Sequence, residues 1–378
     1  MGEDGGSNLS ASAGISSVGI TTVPGDMDTT APDSGSGGSS GSGGTTTQSD
    51  SNDSSGVTSN DPTGSASKLD AGVMDVTSTG PVPCEPANSP ECACVIPPHM
   101  PCDAGTMDPF QAMGLNCPGE LQGQATVNAF YKAYGVRGTF GVGGVWNPKE
   151  GASYAVIGSG EVQELDQPND GDLEEPAKCN DELVAPEDPG PMLPPPIVAK
   201  NVAGDCTQNP SLLKTGDCSN TIQAQFDAGM LAKDYAELRV VLKVPEGASS
   251  LSYDFAFFST EYPYYYGKAF NDMFVGWIDS ESWTGNISFD MMGNPISLNA
   301  GFLDHKDMSP ALAGTCMNYH AGTNWLRSTA NVIPGETITL VFAIFDLSDE
   351  MLDSYAFLDN FSWGCEGTGG GPETVVPG

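Results

Sequence analysis

The sequence predicts an all-β fold, an antiparallel β-sandwich of jelly-roll type with one short helix, preceded by a long disordered leader. Residues 1–80 contain no Phe, Tyr, Trp or Cys, so they have too little apolar surface to offset the entropy lost on ordering. Beyond residue 119, many short segments alternate apolar and polar residues, which is typical of strands. Turn pairs such as Pro334-Gly335 separate these segments without helices, which favours an antiparallel sandwich.

Composition divides the chain into four regions. They are a Ser/Gly/Thr/Asp-rich tether (1–80), a Cys/Pro-rich collar (81–118), the sandwich (119–366) and a Gly-rich tail expected to be disordered (367–378). An acidic, proline-rich insertion, residues 161–222, interrupts the sandwich. We expect this insertion to leave the sandwich as an excursion, pinned by its cysteines.

Hydrophobic periodicity assigns the individual elements. Apolar residues at i, i+3, i+4 and i+7 predict a helix over Gln124–Tyr134. The predicted strands are Ser153–Gly158, Leu238–Val244, Leu251–Ser259, Met273–Asp279, Ile287–Met291, Thr337–Asp346 and Tyr355–Trp363. Both alternating faces of Thr337–Asp346 are apolar, so this strand is expected at the centre of a sheet that is covered on both sides.

The charge is strongly negative, with 49 acidic and 13 basic residues and a formal net charge of −36. Nucleic acid and anionic membranes would repel such a chain. We therefore expect no nucleic-acid partner, and membrane association only through a lipid anchor.

Ten cysteines lie outside the leader, without the Cys/His spacing of a zinc site. Their even number favours structural disulfides formed in an oxidising compartment over a metal cluster. The local pair predicted to be bonded is Cys206 with Cys218, which would close a short polar loop. This interpretation predicts that the protein is exported from the cytoplasm.

The beginning of the chain, Met1-Gly2-Glu3-Asp4 followed by the Ser/Gly tether, resembles a mature bacterial lipoprotein with Met in place of the lipidated cysteine. Its leader is similar in style to those of myxobacterial surface lipoproteins. The resemblance implies a lipid-anchored precursor with residues 1–80 as a spacer. A freely secreted protein is the alternative.

No motif predicts an enzyme. Gly37-Gly38-Ser39-Ser40-Gly41 matches GxSxG but lies in low-complexity sequence, with no strand or helix to form a nucleophile elbow. The three histidines, His99, His305 and His320, are scattered, and a single histidine is usually a hydrogen-bonding structural residue. A hydrolase using two of the many carboxylates stays an alternative.

Acidic and amide side chains cluster where predicted strands begin or end. The candidate metal ligands are Glu261, Asn271, Asp272, Asp346, Asp349, Asp353 and Asp359. Ca²⁺ takes six to eight oxygen ligands, and strand-end loops can supply them without helix geometry. Calcium is therefore the predicted cofactor, with backbone-capping turns as the alternative role of these acids.

A run of tyrosines follows Glu261. Tyr262, Tyr264, Tyr265 and Tyr266 are candidates for stacking on a glycan. Alternation puts Tyr264 and Tyr266 on one side, so at least half of the set is expected in the core.

Several of these segments together resemble the bacterial choice-of-anchor L domain. They are Ala155–Gly160, Ser259–Pro263, Phe270–Phe274, Gly301-Phe302, Gly322–Leu326, Pro334–Leu340 and the acidic run from Asp346 to Phe361. The resemblance covers residues 119–366 and is most specific from 236 onward. It implies an exported, surface-displayed module with no established catalytic activity to carry over.

The function predicted from the sequence is therefore that of an adhesive or structural module outside the cell or on its outer surface. The alternatives are a carbohydrate-binding module, a subunit of a self-assembling surface filament and a secreted hydrolase. Its partner would be a surface ligand, either a glycan or another copy of this chain.

Overall fold

The computed structural model describes residues 96–169, 171, 179, 187–268 and 271–377. All of them lie in the second of two units into which the chain divides, Gly80–Gly378. The predicted disorder of residues 1–80 and the GxSxG segment fall outside the described residues and stay predictions. Within the described part, neither α-helix has the length and apolar character needed to cross a membrane.

Strands dominate the described residues, in two antiparallel sheets. In chain order the elements are α1 (Pro109–Ala112), β1 (Gln124–Asn128), β2 (Tyr134–Arg137), β3 (Tyr154–Gly158), α2 (Gln223–Gly229), β4 (Ala232–Lys243), β5 (Ser250–Ser259), β6 (Met273–Asp279), β7 (Thr284–Asn286), β8 (Ile296–Ser297), β9 (Ala321–Gly322), β10 (Leu326–Asn331), β11 (Thr337–Leu347), β12 (Ser354–Gly364) and β13 (Glu373–Val375). The first sheet has the order β1-β4-β11-β6-β7, with β8 also paired to β6. The second has the order β13-β10-β5-β12-β3-β2, with β9 also paired to β5. The all-β sandwich predicted from the sequence is confirmed.

The main core lies between the sheets, and β11 shows how the sequence forms it. Ile338, Leu340, Phe342 and Ile344 alternate along β11 and belong to the inter-sheet core. They are fully buried, and burial of each such side chain stabilises the fold by about 1.5–3 kcal/mol. Because β11 lies between β4 and β6, the predicted central position of this strand is confirmed.

The acidic insertion covers the outer face of the first sheet. Val341, Ala343 and Phe345 on the second face of β11 share a buried cluster with Ile197 of the insertion and Phe226 of α2. The insertion was expected to leave the sandwich, and this expectation is wrong for residues 193–199, which pack against the first sheet. This proline-rich segment supplies the apolar side chains that shield the sheet from water.

The outer face of the second sheet is covered as well. Phe258 and Phe357 pack against Phe140 and Trp146, which come from the connection between β2 and β3. The indole nitrogen of Trp146 donates a hydrogen bond to the carbonyl of Thr323 at 2.9 Å. The central strands of both sheets are thus buried on both faces, whereas β1, β2 and one face of β10 are only partly covered.

Three local predictions were wrong. Residues 124–134 form β1, a turn and the start of β2 rather than a helix, because β1 pairs with β4 along its whole length. Residues 287–291 are not a strand, since the chain turns back on itself and Phe289 bridges to Pro295. The tail expected to be disordered instead forms β13, which extends the second sheet beyond β10.

Three disulfides are present among the described residues: Cys102–Cys117, Cys179–Cys316 and Cys206–Cys218. The last is the pair predicted from the sequence. The first closes a loop of the collar, and the second connects the insertion to the segment preceding β9. Cross-links of this kind stabilise a fold mainly by restricting the unfolded chain.

Candidate functional site

The pairing of four strands brings the acidic strand ends together. Ser259 at the end of β5 pairs with Ser354 at the start of β12. Phe345 near the end of β11 pairs with Met273 at the start of β6. Glu261, Asn271-Asp272, Asp346 and Asp353 adjoin these positions in sequence, so five of the seven predicted metal ligands lie at the same end of the sandwich.

These five residues, here called the acid cluster, are almost fully removed from water. Their exposed fractions are Glu261 2%, Asn271 1%, Asp272 1%, Asp346 0% and Asp353 3%. Among the described residues, no lysine or arginine forms an ion pair with Glu261, Asp272 or Asp346. The nearby Lys233 pairs with Asp188 and Glu350 instead. Burying several carboxylates without a cation is unfavourable.

Hydrogen bonds connect the cluster only in part. The Ser354 hydroxyl donates to Asp272 Oδ2 at 2.6 Å, and the Asp272 backbone N–H donates to Glu261 Oε2 at 3.1 Å. The Tyr355 hydroxyl donates to Asp353 Oδ2 at 3.2 Å.

Asp346 is the exception in this network, because neither of its carboxylate oxygens has a hydrogen-bond partner. The hydroxyl of Ser159 contributes to its electrostatic surroundings. That hydroxyl also hydrogen-bonds to the backbone of Ser354. The amide oxygen of Asn271 also lacks a partner.

The pKa shifts express the same imbalance. Burial raises the pKa of Asp272 to about 7. Burial, followed by the Asp272 carboxylate, raises the pKa of Glu261 well above its ordinary value. Burial and then the carboxylates of Asp272 and Asp353 raise the pKa of Asp346 in the same direction. Desolvation and like charge both oppose ionisation, and a bound cation would reverse both effects.

Two residues at this site were not anticipated as ligands or supports. Asp234, near the start of β4, is buried, has an unpartnered Oδ1, and has a pKa raised to about 7 by burial and then by Asp188. The available signal was an aspartate on the same strand face as two apolar residues, Ala232 and Ala236. Gly160 lies so close to Asp353 that a Cβ there would collide with the carboxylate, so only glycine leaves room for the acid.

Of the remaining two predicted ligands, Asp349 borders the acid cluster and Asp359 lies apart from it. After burial, the Asp349 carboxylate contributes to the raised pKa values of Glu261 and Asp272. Asp349 is half-buried in the turn between β11 and β12, where its Oδ1 accepts the Met351 N–H at 3.3 Å. Asp359 lies five residues beyond the start of β12, roughly 17 Å along the strand. It accepts the backbone N–H groups of Lys149 at 2.6 Å and Glu150 at 3.3 Å. Asp359 therefore does not lie with the other candidate ligands, and its carboxylate anchors a loop.

The cluster has the donors for a hard cation without closed coordination geometry. Among the described residues, the one group of three His, Cys, Asp or Glu side chains with ligand atoms within 4.8 Å of one another is His99, Cys117 and Glu120. That group cannot supply a thiolate, since Cys117 is bonded to Cys102. Carboxylate rotations would therefore have to draw the acid cluster inward around an ion.

The tyrosine run, residues 262–268 and here called the tyrosine loop, begins directly after Glu261. Tyr264 is 44% and Tyr266 55% exposed, and Tyr262 and Tyr265 are half-buried. The expectation that half of these rings lie in the core was wrong. A turn replaces the strand at this point, so the alternation on which that expectation depended does not apply.

The histidines all hydrogen-bond within the fold. His99 bonds to Glu120, His305 to Asn324 and His320 to the carbonyl of Tyr262. Each thus has a structural contact of the kind expected of single histidines.

Comparison with known proteins agrees with the resemblance noted in the sequence. A family model, the Choice-of-anchor L domain, matches residues 241–364, a narrower range than the predicted 119–366. Curated proteins and solved structures gave no significant match to this chain. The matched range runs from the end of β4 to the end of β12 and contains the whole acid cluster. Residues 241–364 thus match the Choice-of-anchor L domain, a module typical of surface or secreted proteins.

Proposed function

We propose that this protein is an extracellular module, adhesive or structural in role, whose sandwich is completed by Ca²⁺ bound in the acid cluster. One observation carries the proposal. Asp346 is fully buried, beside other carboxylates, and neither of its oxygens has a hydrogen-bond partner. Buried polar groups are nearly always satisfied, so an exception of this kind points to a missing ligand.

The alternative role, in which acidic side chains cap turns by accepting backbone N–H groups, fits Asp349 and Asp359 better than the residues of the acid cluster. Asp349 caps a turn and Asp359 holds a loop through backbone N–H groups. Asp346 caps nothing. Asp272 accepts the Ser354 hydroxyl and the backbone N–H of Leu347 on the neighbouring strand, and neither belongs to its own turn. Solubilising charge is also excluded as a role, because solvent does not reach these carboxylates.

The donor set favours calcium over other metals. The cluster offers carboxylate and amide oxygens, which are the ligands of hard cations. Zinc sites usually contain His or Cys, and the five residues of the cluster include neither. Mg²⁺ needs a tight octahedron, whereas Ca²⁺ accepts irregular coordination by six to eight oxygens. Extracellular modules bind Ca²⁺ with dissociation constants of about 10⁻⁴–10⁻³ M, which sets the concentrations to test.

Terbium luminescence tests the site directly. Tb³⁺ replaces Ca²⁺ at oxygen sites, and the ring of Tyr355, whose hydroxyl contacts Asp353, can sensitise it. We expect saturable luminescence with one strong site that millimolar Ca²⁺ displaces. Asp353→Asn should remove it and Asp359→Asn should leave it intact. Luminescence that is absent, or equal in both variants, would contradict the proposal.

Display on the outer surface is part of the proposal, and the lipoprotein-like leader supports a lipid anchor as its means. Protease treatment of intact cells that express the protein tests the display. Cleavage of the domain without cell lysis is expected. Full protection, with cleavage only after lysis, would contradict it.

A further inference from the structure

The tyrosine loop places aromatic rings in solvent beside the acid cluster. Four tyrosines within five positions, none of them buried, form an unusual exposed surface, since such rings normally bury most of their area. Exposed aromatic side chains of this kind mark interaction surfaces.

The exposed rings are held in place by their neighbours. Tyr266 packs edge-on against Tyr262, with ring centroids 6.0 Å apart. Tyr262 is itself fixed at both ends, because its hydroxyl donates to Asp307 at 2.7 Å and its carbonyl contacts His320 Nδ1 at 2.6 Å. A rigid ring loses little conformational freedom when a ligand stacks on it.

Tyr264 forms the second part of the surface. Its ring packs against Tyr265 with centroids 5.2 Å apart, and the ammonium of Lys268 lies 4.6 Å from its centroid. Asn299 closes the base of the loop by accepting the Gly267 N–H at 2.7 Å and donating to the Lys268 carbonyl at 3.2 Å. The loop is therefore built to hold its rings outward.

The chemistry of this surface fits a neutral polysaccharide. Tyrosine rings offer π faces to the C–H groups of a pyranose. The charged groups of Asp307 and Lys268, which contact Tyr262 and Tyr264, can hydrogen-bond sugar hydroxyls. A protein interface would instead present a more continuous apolar patch with few charges at its centre. The net charge of −36 disfavours nucleic acid and anionic glycans.

The loop is also coupled to the acid cluster at both ends. It begins at Glu261, whose carbonyl accepts the Tyr265 N–H at 2.8 Å and whose carboxylate accepts the Asp272 N–H at 3.1 Å. Asn271 and Asp272 follow the loop in the chain. An ion that binds Glu261 and Asp272 would fix the spacing of the two residues between which the loop is suspended.

We propose that the tyrosine loop binds neutral polysaccharide by stacking on Tyr266 and Tyr264, and that the bound cation holds the loop in its binding conformation. The second half of this inference rests on the proposed function.

Binding to a panel of neutral polysaccharides tests the inference: cellulose, chitin, β-1,3-glucan and mannan. Wild-type protein in millimolar Ca²⁺ should bind at least one of them, and Tyr266→Ala should weaken that binding by at least about tenfold. Tyr131→Ala is the matched control, because Tyr131 is 68% exposed in the connection between β1 and β2 and should bind as wild type does. Both variants remove exposed rings, so unchanged melting temperatures should show that each is folded.

Chelation and terbium luminescence on the same samples separate the two proposals. Tb³⁺ binding without retention on any of the four polysaccharides would overturn the glycan site and leave the cation site standing. Retention that persists in EDTA, with no Tb³⁺ binding, would overturn the cation site and its coupling to the loop. Equal loss of binding in Tyr131→Ala and Tyr266→Ala would also refute stacking on this loop.

Discussion

Removing one charge from the acid cluster should make the domain more stable without calcium and insensitive to calcium. The variant is Asp346→Asn, which keeps the size and shape of a fully buried side chain and removes its charge. In the wild-type protein, the carboxylates that surround Asp346 are costly to ionise because they are buried. For Asp272 alone, a pKa raised from 3.8 to about 7 corresponds to a cost on the order of 4 kcal/mol at neutral pH.

A bound ion would offset much of that cost. At a hundredfold excess over its dissociation constant, Ca²⁺ would stabilise the native state by about 2.7 kcal/mol. Each kcal/mol corresponds to roughly 2–4 °C for a domain of this size, so the melting temperature should rise by about 5–10 °C. Asp346→Asn should melt above wild type in EDTA and show little further rise with Ca²⁺.

Differential scanning calorimetry at pH 7.5 measures these differences, in EDTA, in CaCl₂ at about 10 mM and in NaCl of equal ionic strength. This CaCl₂ concentration is a hundredfold excess over a dissociation constant of about 10⁻⁴ M. Asp359→Asn is the matched control, since Asp359 is also a buried aspartate whose pKa burial raises to about 7, but it lies outside the cluster. It should keep the full calcium response. The reasoning is refuted if NaCl reproduces the shift, or if Asp346→Asn responds to Ca²⁺ as wild type does.

Three further perturbations follow from particular contacts. Gly160→Ala should destabilise the domain by about 1–3 kcal/mol in urea unfolding and abolish Tb³⁺ binding, because the new methyl group would collide with the Asp353 side chain. The control, Gly369→Ala, should change neither, because a methyl group at Gly369 would contact no other atom. Burial would lower the pKa of His99, but its two glutamate partners, Glu150 and Glu120, raise the pKa above 6.5. The ion pairs of His99 therefore stabilise the fold fully below pH 6.5. This stabilisation is lost as the pH rises through the raised pKa. The stability difference between wild type and His99→Gln should therefore be larger at pH 6 than at pH 8.5, and an equal difference would rule out this ion pairing. Thr374→Ala should cost about 1–3 kcal/mol in urea unfolding, since it removes a buried hydroxyl that accepts a backbone N–H; a cost near zero would mean that β13 contributes little.

How well the sequence predicted the structure depended on how much long-range pairing each element needed. β6 was predicted with its observed bounds, and β11 with both of its buried faces, because a long run of β-branched and aromatic residues is typical of a buried strand. The helix predicted over residues 124–134 failed for the opposite reason. Its four apolar positions fit a helical period, but they belong to two short strands and the turn between them, and pairing of β1 with β4 decides the outcome.

The sequence predicted the members of the acid cluster as residues at strand ends, but it could not show which of them lie together in space. Asp353 and Asp359 look alike in sequence, yet six residues of extended chain separate them by roughly 20 Å, so only one reaches the cluster. Asp234 was missed because it lies inside a strand. Its place is set by the antiparallel register of β4 with β11, in which Lys233 lies opposite Asp346.

The covering of both sheets restricts where this module can bind anything. The insertion shields the central strands of the first sheet on their outer face, and the segment containing Trp146 shields those of the second, so the middle of neither outer face is open to a ligand. The insertion also reaches the end that carries the acid cluster, where Asp188 accepts the Asp234 N–H at 3.1 Å. Recognition is therefore expected at the sheet edges, on the partly covered edge strands or at the strand-end loops. The end that combines buried, unsatisfied carboxylates with exposed tyrosines is where a cation and a surface ligand could act on the same loop.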